Sequence, residues 1–132
     1  MALEQNRTTR DYLYGCLLAI AEDIERHALH VAGEKRDTTA ARLMQRFADR
    51  PFSTWKTIEL ALAPYKARLR VLRGGLLFKR EQLLDDTMIK FKADDYTNDS
   101  PLTGEFLLGY HCQRQDLRPL KAKDEPTTDT DE

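Results

Sequence analysis

The stretch Phe106 to Gln115, FLLGYHCQRQ, sets a histidine beside a cysteine. The pair holds the atoms of a thiolate nucleophile with its base, or of two ligands to a soft metal ion. Successive residues of a helix point about 100° apart, so His111 and Cys112 serve a single centre badly. No third group that would orient the base is apparent in the sequence. His27 and His30, at i and i+3, could offer two imidazoles from one helix, with one residue of the 111/112 pair completing a site, but neither spacing is specific for zinc. Glu22, Asp23 and Glu25 supply carboxylates, yet nothing near them in sequence would drive their pKa values apart as acid–base catalysis needs. They read as a solvated helix face, with His27 and His30 on its wet side and Cys112 as a small apolar packing residue. The expectation is a chain with no catalytic site, no metal and no cofactor.

The cations carry more. Arg42 and Arg46 lie four apart in a predicted second helix with Arg50 just past its end, and Lys66, Arg70 and Arg73 follow at i, i+4 and i+7 in a fourth. Lys35, Arg36, Lys79 and Arg80 fall near segment ends, where they can extend the same surface. Residues 35–80 hold 12 basic and 3 acidic side chains, although the whole chain has a net charge of −1. A basic middle between acidic flanks suits a polyanion, whereas exposed Lys and Arg scattered among acids would mean only a solvated face. Zinc-finger spacing, an aromatic RNA-binding strand and a helix-turn-helix turn are all lacking, so contacts are expected to go to phosphates, which position a strand without reading it. The alternative is an adaptor whose basic face docks acidic protein surfaces.

These side chains need a scaffold. With 132 residues and 41% hydrophobic content, one core is affordable and two are not. Apolar residues Leu13, Leu17, Ile20, Ile24, Ala28 and Val31 repeat with helical spacing from Thr9, and Gly33 stops that first helix. Asp37 or Thr38 caps a second helix carrying Leu43, Met44 and Phe47, which Pro51 ends. Ser53 is the expected cap of a third, with Phe52 as its staple and Trp55, Ile58 and Leu62 inward. A kink or restart is expected at Pro64, with Tyr65, Leu69 and Leu72 inward, then a break at Gly74-Gly75. Leu77, Leu84, Met88 and Phe91 suggest a fifth helix, with Arg80 at an intermediate position on the same face. Ser100 and Pro101 open a sixth, closed by Pro119. The reading is an all-α bundle of five to six helices over 1–118 and a disordered acidic tail over 119–132. No stretch is long and apolar enough to span a membrane and the N-terminus lacks a signal-peptide core, so a cytoplasmic protein with reduced cysteines is expected.

Gly15 and Gly109 sit in similar surroundings, YLYGCLL and FLLGYHC. A mid-helix glycine costs about 1 kcal/mol against alanine, so a matched pair suggests that the first and last helices cross closely, with Tyr12, Tyr14 and Tyr110 around the contact.

Three segments, RDYLYGCLLAIAEDIERHAL, RFADRPFSTWKTIELALAPYKARL and SPLTGEFLLGYHCQRQ, resemble the C-terminal part of the large subunit of the type I-C CRISPR Cascade. That family also makes this region as a separate small subunit from an internal start, and a chain opening at Met1 just ahead of its first core helix resembles it. The resemblance implies a non-catalytic helical subunit in the belly of an RNA-guided complex, beside the backbone and large subunits and further copies of itself. It implies contact with the CRISPR RNA-containing complex and with target DNA, mainly the displaced non-target strand, and no membrane.

Overall fold

In a computed structural model, residues 7–118 are described, and they form six helices with no strand among them. The expected tail over 119–132 and the stop at Pro119 lie outside the described residues. None of the helices is long and apolar enough to cross a membrane.

Helix α1, Arg10–Val31, is the axis of the bundle. It is buried continuously from Tyr12 to Glu25 because α4, α5 and α6 pack against it on different sides. Gly33 ends it in a left-handed conformation at φ 71°; its N–H bonds the His30 carbonyl at 3.0 Å and the Glu34 N–H reaches back to Leu29 at 2.9 Å.

The expected second helix is two short ones, α2 (Thr39–Arg42) and α3 (Met44–Asp49), parted at Leu43. Thr38 is the cap, its Oγ1 accepting from Ala41 N–H at 3.1 Å. The break lets each piece meet a different neighbour. Glu25 of α1 holds the start of α2, while the Arg46 and Ala48 carbonyls of α3 accept from Thr54 Oγ1 and the Leu102 N–H.

Helix α4 runs from Pro51 to Leu72 and passes through Pro64 without restarting. Proline removes the bond to the Leu60 carbonyl, and both residues lie on the exposed side of the helix, Leu60 at 79%. Ser53 is not the cap. Asp99, from the loop before α6, accepts from the N–H groups of Phe52 at 2.8 Å and Ser53 at 3.1 Å, and Ser53 Oγ donates to it as well. Trp55, Ile58, Leu62 and Leu69 face inward as expected, whereas Leu72 is exposed. The chain breaks at Arg73, and Gly74 and Gly75 open α5 (Gly74–Met88) instead of interrupting it.

Helix α6, Glu105–Leu117, begins later than Ser100. The segment before it is a loop pinned to α1: Thr103 donates through N–H and Oγ1 to Asp11 at 2.7 Å each, and Arg10 binds the Asn98 and Ser100 carbonyls. The crossing with α1 is as close as the glycines imply. A Cβ on Gly15 would lie 2.1 Å from the Phe106 carbonyl oxygen, and one on Gly109 would lie 2.1 Å from that of Tyr12. Tyr12 and Tyr110 are buried at this crossing, while Tyr14 turns away into a cluster with Phe47, Phe91 and Tyr96.

Candidate nucleic-acid interface

The thiol chemistry closes first. Cys16 and Cys112 are buried in one small cluster with Tyr12, and His111 points outward, its ring edge-on to Tyr110. Burial pushes the Cys16 thiol up to about 12, so it stays protonated at neutral pH and is a poor nucleophile. Among the described residues, no three His, Cys, Asp or Glu side chains gather within reach of one metal ion.

The carboxylates of α1 overturn the expectation of a solvated face: Glu22, Asp23 and Glu25 are 6%, 3% and 1% exposed. Buried carboxylates need partners, and each has them. Asp23 takes Arg80 Nε at 2.6 Å, Arg26 Nη2 at 3.0 Å and His27 Nε2 at 3.4 Å. Burial pushes the Asp23 carboxyl up, but hydrogen bonds from His27 and Arg80 outweigh it and hold the group at about 2. Glu22 accepts from the Tyr110 hydroxyl at 2.7 Å and lies 3.6 Å from Arg114 Nε. Burial first, then this bond, raises the tyrosine to about 12. Glu25 caps α2 through the Thr39 N–H at 2.8 Å and faces Arg36 at 3.6 Å. These groups tie α1 to its neighbours.

The same pairings decide which cations remain for a ligand. Arg80 stands in the middle of α5, not at a segment end, with its side chain 16% exposed and committed to Asp23. Arg36 lies over the Tyr65 ring at 5.6 Å, donates to its hydroxyl and faces Glu25 and Glu34. Lys35 and Lys79 are exposed. Arg42, Arg46 and Arg50 are exposed along the α2–α3–α4 junction. The break at Leu43 puts Arg42 and Arg46 on different helices, so their spacing of four does not give one helical row. Lys66 and Arg70, a turn apart on α4, are brought together by Glu81 of α5, at 3.5 and 3.7 Å. Arg73 follows, partly exposed, at the α4–α5 turn.

Sequence reasoning passed over Arg68. Its Nη1 donates to the Ala28 carbonyl near the end of α1 at 3.1 Å, and its guanidinium lies 6.0 Å from the Tyr65 ring centre, opposite in role to Lys66 and Arg70 on the same helix. Its i+2 offset from both Lys66 and Arg70 is the signal that it faces elsewhere.

The cations of α2–α5 that the buried carboxylates leave unengaged are thus carried on an all-α frame. No curated protein matches the chain. The family model for the CRISPR-associated protein Cas_Csd1 matches residues 1–118, spanning every helix described. The chain therefore belongs to the Cas_Csd1 family of CRISPR-associated proteins.

Proposed function

We propose that this chain is a non-catalytic small subunit of a type I-C RNA-guided surveillance complex in the cytoplasm, and that its cations stabilise the R-loop by holding the phosphates of the displaced non-target strand. Its partners on this reading are the backbone and large subunits, further copies of itself, the CRISPR RNA they carry and the target DNA. The observation that carries the reading is a cationic set, Arg42, Arg46, Arg50, Arg70 and Lys79 exposed and Lys66 and Arg73 partly exposed, on a chain of a CRISPR-associated family. Lys66 and Arg70 are oriented by Glu81 before any ligand arrives, which lowers the ordering cost of gripping a phosphate. Phosphate contacts carry no base information, so one surface serves every target.

Binding of the full chain to single-stranded oligonucleotides across a salt series tests this. Each phosphate contact removed by an Arg→Ala or Lys→Ala change flattens the slope of log K against log salt by about 0.7. Charge-neutralised variants whose affinity and slope match the wild type would overturn the reading. If the same changes instead block complex assembly before DNA is added, the basic face is a protein-docking surface.

A further inference from the structure

The turn joining α4 to α5 combines two features that a core does not need. Val71, Leu72 and Phe78 are 83%, 59% and 65% exposed there. Phe78 is the aromatic residue in this group, and Lys and Arg residues flank it in the sequence and on the neighbouring helix α4. Phe78 and Glu81 stand at i and i+3, hence on one face of α5. Glu81 holds Lys66 Nζ at 3.5 Å and Arg70 Nη2 at 3.7 Å, so two charges from α4 are brought to that face. Arg73 precedes α5, its carbonyl accepting from the Leu77 N–H at 3.1 Å, and Lys79 follows Phe78 directly in an exposed position.

Gly75 and Gly74 lie three and four residues before Phe78, again on its face, and a Cβ at either would meet nothing within 4 Å. Bare backbone thus leaves open ground beside the ring.

Resting on the strand-binding reading above, we propose that Phe78 is a stacking platform for a nucleobase of a single-stranded polynucleotide, with Lys66, Arg70, Arg73 and Lys79 engaging the adjoining phosphates. Four cations against the carboxylates of Glu81 and Asp85, the latter exposed at i+7 from Phe78 on the same face, favour a polyanion over an apolar protein segment. An aromatic face among them favours a strand whose bases are unpaired, because a duplex keeps its base faces stacked inside. Stacking accepts any base, so the platform adds affinity without sequence preference.

The test compares an ordinary oligonucleotide with an abasic one of equal length, titrated with the full chain. Phe78→Ala should weaken binding to the base-bearing strand by about 5- to 150-fold, the range for loss of one stacked base. It should leave binding to the abasic strand and the salt slope unchanged, and Phe78→Trp should retain the wild-type preference for bases. Arg70→Ala and Arg73→Ala should instead flatten the salt slope on both strands. If Phe78→Ala matches the wild type, or loses equally on the abasic strand, the platform is refuted. Should the arginine variants still flatten the slope in that case, phosphate binding survives alone; should they not, both readings fall. A Phe78→Ala chain that folds but fails to enter its complex before DNA is present would make the apolar turn a protein contact and also refute the platform.

Discussion

Gly109→Ala asks whether the α1–α6 crossing is as tight as its geometry. The new Cβ would sit 2.1 Å from the Tyr12 carbonyl oxygen and 2.9 Å from its carbonyl carbon, and both are backbone atoms that no rotamer change can move. Restoring ordinary contact at 3.4 Å requires the helices to part locally by about 1.3 Å. That separation loosens the buried Tyr12, Cys16 and Cys112 cluster. Overpacking of this kind costs roughly 1–3 kcal/mol or more, while alanine returns about 1 kcal/mol of helix propensity. A net loss of about 2 kcal/mol is expected, or about 8 °C in Tm for a chain of this size. Gly75→Ala is the control: its Cβ meets nothing within 4 Å, so the same change at the start of α5 should raise Tm slightly. Thermal unfolding followed by circular dichroism reads both. A Gly109→Ala protein as stable as the wild type would refute the close crossing.

Arg80→Ala should destabilise the fold by about 3 kcal/mol, because it strips the shortest partner from a buried carboxylate, yet leave the salt slope of strand binding unchanged. Urea unfolding paired with the binding series checks both halves. The Asp23 carboxyl sits at about 2 when folded, below its ordinary 3.8, so its contribution is fully present at neutral pH and is lost as the pH falls from about 5 towards 2. The acid-induced fall in stability should therefore be shallower in Arg80→Ala, and identical curves would count against the pairing. Asp99→Ala removes the cap of α4 and should cost about 1 kcal/mol, read as a lower urea midpoint.

What the sequence disclosed follows from which partners are local. The apolar period of α1, the stop at Gly33 and the glycine crossing were legible because each is written within a few residues or in a matched pair. The cap of α4 was not, since Asp99 is 46 residues from Ser53 and a nearer serine offered itself. The acidic stretch of α1 was misread for the same reason. Charged residues are rarely buried without partners, and beyond the local Arg26 and His27 the partners that bury Asp23 and Glu22 stand 57 and 88 residues away, at Arg80 and Tyr110. One hint was present: Arg80 shares a face with Leu77 and Leu84, both buried, so its side chain had to point inward and find a carboxylate. Of the basic surface, the number of cations could be read directly, but not which were already engaged by the core, because that depends on how α1 packs against α2 and α5.

Photocrosslinking from a probe at position 70 or 46 of the chain within the assembled complex, on a target duplex with each strand separately labelled, tests the central claim most directly. Both sites are exposed, so a probe there should not disturb the fold. The account predicts crosslinks to the non-target strand that form only once the R-loop opens and persist when the target sequence is changed. Crosslinks confined to protein or to the paired target strand, with the R-loop open, would contradict it.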